Sequence, residues 1–315
     1  MHSPQFPVHS SRFSKKRKLQ WDNCEPGTRN FALGAHLSIA GGLERALLKG
    51  AELGCRTVQL FTKSPSRWGE RVLKASEIDN FREVRKDTGI SPLIAHGGYL
   101  ANLSSPDKAV RRKSVNAVCR EMERCGLLGI DYLVVHPGSY LDSDESRGLE
   151  RAADSIGRVL GAAGGSGPLL LVETTAGQGT CIGRDPGQIA RLLSLIGERK
   201  EVGICIDSCH IFAAGHDIRS AAGYRDFFGQ VEGRIGFDRL KVFHLNDSLR
   251  ECGSRIDRHA HIGKGRIGEE FFRRIMNDSR FRCIPKIIET PKEGEMDRIN
   301  LGLLRGMAQR QKLRR

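Results

Sequence analysis

The sequence lacks any pair of cysteines with the CxxC spacing of a metal or redox site. Its nine cysteines are odd in number and scattered along 315 residues, so we predict reduced thiols that act as small hydrophobic groups in an intracellular protein. No apolar run approaches the ~18 residues that a membrane span requires, and no signal-peptide hydrophobic segment opens the chain. We therefore expect a soluble protein.

Acidic residues are scarce relative to basic ones. There are 37 Asp and Glu against 51 Lys and Arg, which gives a net charge of +14 and a pI near 9.6. Because neutralisation of phosphates by Lys and Arg dominates nucleic-acid binding, this charge predicts a polyanionic partner, with nucleic acid first. A basic protein without such a partner is the alternative.

Short apolar runs alternate with longer amphipathic segments through most of the chain. The predicted strands are residues 31–35, 57–61, 92–95, 132–135, 169–172, 203–206, 240–243 and 285–288. The predicted helices are residues 42–53, 75–88, 107–125, 146–163, 185–196, 224–231 and 269–275. Eight continuous apolar strands separated by helices predict a parallel sheet closed into a (β/α)8 TIM barrel. An open doubly wound sheet is the alternative, but no G-x-G-x-x-G follows the first strand.

The two ends of the chain are basic and lack the pattern of the middle. We predict a disordered N-terminal tail over residues 1–30, a single domain over residues 31–303 and a basic C-terminal tail over residues 304–315. The basic run Lys15–Lys18 is typical of a nuclear address, of an electrostatic arm for nucleic acid, or of a plain solvated charge run. We expect a nuclear protein if the source is a eukaryote and a cytoplasmic one otherwise.

Polar side chains end six consecutive predicted strands. They are His96, His136, Glu173, Asp207, His244 and Glu289. The carboxyl ends of barrel strands meet at one face, where the active sites of these folds lie, and crowding such groups there costs too much desolvation without a cation.

The following loops add three more candidates, namely His210, Asp257 and His259. A single zinc needs about four ligands, so these nine predict two or three ions. We assign His36, His216 and His261 to structural or supporting roles.

Eight sequence segments together resemble the endonuclease IV family of apurinic/apyrimidinic endonucleases. They are GAHLSIAGG, HGGYLANLSSP, VVHPGSY, VETTAGQGT, CIDSCHIFAAGHDIR, FHLNDS, DRHAHIGKG and IETP, within about residues 31–300. The resemblance implies a TIM barrel with three zinc ions, with Mn²⁺ possible at one site. The implied ligand groups are His96, His136 and Glu173; Glu173, Asp207, His244 and Glu289; and His210, Asp257 and His259.

The resemblance also implies a reaction. The family cuts duplex DNA 5′ to an abasic site, leaves a 3′-hydroxyl and a 5′-deoxyribose phosphate, and trims blocked 3′ ends, as a monomer acting in base excision repair. Glu173 would anchor the attacking hydroxide between two ions, and Glu289 would both bind metal and orient that water. We expect both to be catalytic.

Expected DNA contacts lie in the loops around this site. Tyr99 occupies the position of an aromatic that holds the abasic nucleotide outside the helix, although a packing role is the alternative. Lys63 to Trp68 corresponds to a loop that enters the duplex, but Ser66 stands where the family commonly has arginine, so we predict Arg67 as the inserting side chain. His216 likewise replaces a common tyrosine. The other predicted contacts are Lys63, Asn102, Gln178, His261, Lys264 and Arg266.

Two other classes of protein remain open at this point. A small-sugar isomerase or epimerase uses the same barrel with one or two divalent ions, although the nine ligand candidates and the charge of +14 favour the nuclease. A nucleic-acid-binding module with structural metals would not need bridging carboxylates at an open barrel mouth. Metal stoichiometry and salt dependence distinguish the nuclease from the isomerase.

Overall fold

The computed structural model describes residues 31–165, 167–197 and 199–308, so the predicted N-terminal tail and its basic run lie outside the described residues. Within these ranges, eight parallel strands form a closed barrel in the order β1-β10-β7-β6-β5-β4-β3-β2. The barrel strands are β1 (Leu33–His36), β2 (Thr57–Leu60), β3 (Leu93–His96), β4 (Tyr132–Val135), β5 (Leu169–Glu173), β6 (Val202–Asp207), β7 (Leu240–His244) and β10 (Lys286–Ile288). Two short strands, β8 (Asp247–Ser248) and β9 (His259–Ala260), pair antiparallel outside it. The predicted TIM barrel is confirmed.

The strands form because their side chains are apolar on both faces. Strand β4, with the sequence YLVV, is buried throughout, as expected for a strand enclosed by helices outside and by the barrel interior within. A cluster that includes Ile94, Val134, Leu171, Val242 and Ile287 fills the interior of the barrel. The barrel is therefore a packed core, and chemistry is restricted to its ends.

Helices cover the barrel and connect its strands. They are α1 (Glu44–Glu52), α2 (Ala75–Thr88), α3 (Lys108–Leu128), α4 (Glu145–Ala163), α5 (Pro186–Ile196), α6 (Ser208–Ala214), α7 (Ala221–Arg234), α8 (Glu269–Asn277) and α9 (Met296–Met307). The predicted starts at Asp107 and Asp185 are confirmed, because each carboxylate accepts hydrogen bonds from the first turn of its helix. None of the described helices is both long and apolar enough to cross a bilayer.

Three features differ from the expectation. Helix α6 was not predicted, since seven residues are too few for a periodic pattern. Helix α9 continues past residue 303, where we placed the end of the domain, because Leu304 and Met307 are buried in the core. Cys283 is disulfide-bonded, contrary to the prediction of reduced thiols, whereas seven other described cysteines are free.

Lys286 begins β10 at the amino end of the barrel, and its charge is buried. Its ammonium donates to the carbonyls of Phe281 and Ile284 at 2.6 and 2.9 Å, and burial lowers its pKa to about 7. Between pH 7 and about 10.5, Lys286 is therefore protonated in the unfolded chain and largely neutral in the folded protein. Because the unfolded state binds more protons there, this residue makes the free energy of unfolding rise with pH in that window.

We predict that this pH dependence disappears in Lys286→Met. The free energy of unfolding of the wild type minus that of the variant should be flat below pH 7 and rise by a few kcal/mol between pH 7 and 10. Urea titrations across this range measure the difference, and the contributions of all other titrating groups cancel in it. Parallel stability curves for the two proteins would contradict the prediction.

Candidate metal centre and nucleic-acid interface

Glu173 lies at the centre of the barrel's carboxyl face. Its side chain is fully buried at the end of β5. One carboxylate oxygen lies 2.9 Å from His96 Nε2 and 3.1 Å from His136 Nε2, and the other lies 2.8 Å from His244 Nδ1. A carboxylate whose two oxygens each face a different set of imidazoles has the geometry of a bridging metal ligand.

The nine predicted donors fall into three groups around this carboxylate. Within each group, the potential ligand atoms lie within 4.8 Å of one another. The groups are His96, His136 and Glu173; Glu173, Asp207, His244 and Glu289; and His210, Asp257 and His259. The structure thus brings together the residues that the sequence singled out, and their role as ligands stays a prediction.

Elements of different kinds position these groups. The barrel register sets Asp207 beside His244 at the ends of β6 and β7. Asp207 also caps α6 by accepting from His210 N, which turns His210 inward one helical turn after the strand. Asp257 lies in the loop before β9, where its carboxylate reaches His210 Nε2 at 3.1 Å and His259 Nε2 at 3.3 Å.

Three histidines direct Nε2 towards the centre. His96, His210 and His259 each bond a backbone carbonyl through Nδ1, at Gly97, Thr174 and Glu289 respectively. A carbonyl only accepts, so Nδ1 carries a proton, and Nε2 is the nitrogen that would bind a metal ion after losing its own proton. Among the described residues, the buried His259 Nε2 has the Asp257 carboxylate 3.3 Å away but makes no hydrogen bond of good geometry. A divalent transition metal therefore fits this donor set.

The electrostatics of the centre favour cations. Burial opposes the charge of Glu173, but His244 and His136 outweigh it and hold the pKa of Glu173 well below its usual value. Burial likewise opposes the charge of His96, but its hydrogen bond to Glu173 and the nearby carboxylates raise its pKa to about 9. The carboxylates therefore stabilise positive charge at this centre. Bound metal ions would provide that charge and would displace protons from the imidazoles.

Two buried amides that we did not predict from the sequence hold the ligand candidates in place. Gln59 on β2 accepts from His244 Nε2 at 2.8 Å and donates to Glu289 at 2.5 Å. Asn246 donates to Asp207 at 2.6 Å and accepts from Glu289 N at 2.7 Å. Gln59 could have been noticed in the sequence as a polar residue inside the apolar strand TVQL. Asn246 is distinguished in the sequence only by its position after a strand. His36 also contacts Glu289 at 3.3 Å, which agrees with a supporting role.

The loops after β2 and β3 form one wall of the mouth. Tyr99 is 71% exposed, packs edge-on against Phe61 and lines a cavity of about 650 Å³ that opens onto the ligand groups. Arg67 is exposed on the neighbouring loop. Lys63, which we expected to contact DNA, is instead buried, because its ammonium contacts Glu121 at 3.5 Å and the carbonyl of Arg67 at 2.8 Å. Lys63 supports the loop rather than presenting a free cation.

Of the other predicted DNA contacts, some side chains are held by hydrogen bonds within the protein and others are exposed. Asn102 is occupied by hydrogen bonds to Ser104 and Ser139, and Gln178 accepts from Asp257 N, so both brace the loops of the mouth. His261 is half-buried against Asn300. Lys264 and Arg266 are exposed, and Arg266 pairs with Glu251 at 3.1 Å. His216 packs on Phe227, 5.0 Å between ring centroids, and bonds the carbonyl of Arg184.

Comparison with known proteins identifies the family. The model of the xylose isomerase-like TIM barrel family matches residues 47–309. A probable endonuclease 4 of Chloroflexus aurantiacus is 46% identical over 278 residues, which make up 88% of this chain and 98% of the relative. The chain belongs to the endonuclease IV family. The endonuclease IV of Thermus thermophilus superposes with a TM-score of 0.79 at 36% identity, over 88% of this chain and 98% of that chain.

A more distant barrel shows the same fold at low sequence identity. A D-tagatose 3-epimerase-like protein superposes with a TM-score of 0.66 over 87% of this chain and 96% of that chain, at 19% identity. The resemblance predicted from the eight sequence segments is therefore confirmed at the level of the family, and the barrel alone does not decide the chemistry.

Proposed function

We propose that the protein is a zinc-dependent DNA repair endonuclease that hydrolyses the phosphodiester 5′ to an abasic site in duplex DNA. The products would be a 3′-hydroxyl and a 5′-deoxyribose phosphate, and the same site would trim blocked 3′ ends in base excision repair. The observation that carries this proposal is the convergence of nine ligand-type side chains on one open barrel mouth. Membership of the endonuclease IV family supports it.

The three groups around Glu173 would each hold one zinc ion, with Mn²⁺ as an alternative at one of them. Bound zinc supplies Lewis acidity at the phosphodiester and lowers the pKa of water to about 7. Glu173 would orient the attacking water from the floor of the site. Glu289, whose carboxylate lies between Gln59, His36 and His244, would accept the proton of that water.

The exposed loops would select the substrate. An abasic nucleotide has no base to unstack, so turning it out of the helix costs less than turning out a normal nucleotide. Tyr99 stands at the mouth with most of its ring exposed and would pack against the displaced sugar, while Arg67 would fill the space left in the duplex. Lys264 and Arg266 remain as exposed cations for phosphates. We expect a monomer to act on one site.

The first experiment is nicking of a labelled duplex that carries one tetrahydrofuran abasic analogue, by protein purified without added magnesium. We expect one cut 5′ to the analogue, loss of activity after prolonged treatment with EDTA, and recovery with zinc. Activity should also fall steeply between about 50 and 200 mM salt, because DNA binding releases counterions. A folded, zinc-loaded protein that leaves this duplex intact would overturn the proposal and favour a sugar isomerase, whose turnover barely responds to salt.

A further inference from the structure

A cluster of basic side chains lies beside the mouth, outside the site described above. It comprises Lys108, Arg111, Arg112 and Lys113 on the first two turns of α3, together with Arg151 on α4; we call it the basic rim. In a βα barrel, the helix that follows a strand begins at the strand's carboxyl end. The basic rim is therefore on the same face of the barrel as the nine ligand candidates.

The basic rim carries positive charge that the protein does not neutralise. Arg120 and Arg147 nearby are paired with Glu70 and Asp144. None of the five residues of the basic rim has an ion-pair partner among the described residues. The carboxylate closest in sequence to the α3 residues, Asp107, accepts hydrogen bonds from the backbone of Ala109 and Val110 as a helix cap.

Two arginines of the basic rim bond adjacent backbone carbonyls. Arg111 donates to the carbonyl of Ser105 at 2.7 Å, and Arg151 donates to the adjacent carbonyl of Ser104 at 2.8 Å. Partial burial and the charge of Arg111 together lower the pKa of Arg151. Like charges that repel each other destabilise the free protein, and an anion bound between them would relieve the repulsion.

The basic rim is also continuous with the loop that we expect to enter DNA. The ammonium of Lys113 lies 4.4 Å from the ring centre of Trp68, the last residue of that loop. The same loop bonds the Tyr99 segment through the carbonyl of Pro65, which accepts from Tyr99 N at 3.0 Å. An unbroken surface therefore runs from the metal centre through Tyr99 and Trp68 to α3.

We propose that the basic rim binds the phosphate backbone of duplex DNA that flanks the lesion on the side of the β2 loop. This inference rests on the proposed function and extends its footprint. Lys108, Arg112 and Lys113 are exposed on the first two turns of α3, and long cations spread in this way suit a row of phosphates rather than a single enclosed anion. Phosphate contacts fix the position of a protein on DNA without reading sequence, so the basic rim would set affinity and register rather than turnover.

The test compares two variants that each remove three charges. The first is Lys108→Gln/Arg112→Gln/Lys113→Gln, all exposed positions. The matched control is Arg82→Gln/Lys86→Gln/Lys200→Gln, exposed residues on the later part of α2 and just before β6, away from the carboxyl face. Binding of the zinc-loaded proteins is measured between 50 and 200 mM salt, on an abasic duplex and on an intact duplex of the same sequence.

For the basic-rim variant we expect the slope of log Kd against log salt to decrease by about two to three on both duplexes. Hydroxyl-radical protection should shrink on one side of the lesion only, and the single-turnover rate at saturating DNA should change less than about twofold. The control should behave as wild type. An unchanged slope in the rim variant, or an equal change in the control, would overturn the proposal.

The two proposals can fail separately in this design. If the wild type binds DNA with a steep salt dependence but never cuts the abasic duplex, the proposed reaction is wrong. A reduced salt slope in the rim variant would then still support DNA binding by the basic rim. If the wild type cuts and the rim variant keeps the full slope and the full footprint, the basic rim is wrong and the reaction stands.

Discussion

Glu289→Gln is expected to reduce cleavage of the abasic duplex by about 10²–10⁴-fold while the protein stays folded and bound to DNA. The substitution preserves the shape of a side chain that contacts Gln59, His36 and His244 at the end of β10. It removes the negative charge that would hold a cation and accept a proton from water. Single-turnover kinetics at saturating DNA and a parallel binding assay measure the two effects.

A matched control and a metal assay make this result specific. Glu293 lies four residues further along, and its carboxylate is 76% exposed, so Glu293→Gln should cut within about twofold of wild type. If Glu289→Gln keeps all its metal and still loses turnover, the proton-accepting role is supported; if it loses one ion, its role is that of a ligand. Turnover like that of the wild type in a folded Glu289→Gln protein would refute both roles.

Much of the metal centre follows from one regularity of the sequence. Each barrel strand is a short apolar run, so the first polar residue after it marks the carboxyl face, as at His96 and His244. Parallel register then brings these ends together whatever their separation in sequence. This is why the donors on strand ends could be predicted from the chain alone. His210 was also predictable, since it follows Asp207 within one turn.

The parts of the site that the sequence did not predict depend on contacts between distant segments. Lys63 looked like a free loop cation because its partner Glu121 is 58 residues away on α3. Gln59 and Asn246 act through side-chain orientation, and a polar residue inside a strand has no pattern that says which neighbour it meets. Local patterns identify elements and their ends, while pairings across the barrel require the assembled fold.

Asp257→Asn is expected to lower the zinc content from about three ions per chain to about two, and to reduce cleavage by at least about 100-fold. Asp257 is the link between His210 and His259, and these two histidines hold its pKa well below the usual value against the effect of burial. The amide keeps the size of the side chain but loses the charge that would balance a cation. The side chain is 40% exposed on a loop, so the fold should persist.

The measurement is metal content by mass spectrometry after removal of loose ions, combined with the nicking rate. Asp217→Asn is the control, because Asp217 is similarly exposed at 49% and its ion-pair partner among the described residues is Arg219. It should retain three zinc ions and full activity. An Asp257→Asn protein that also keeps three ions would show that the third group does not bind metal through this carboxylate. A wild type that binds one or two manganese or magnesium ions instead would contradict the three-zinc centre and favour the reaction of the epimerase-like barrels that share this fold.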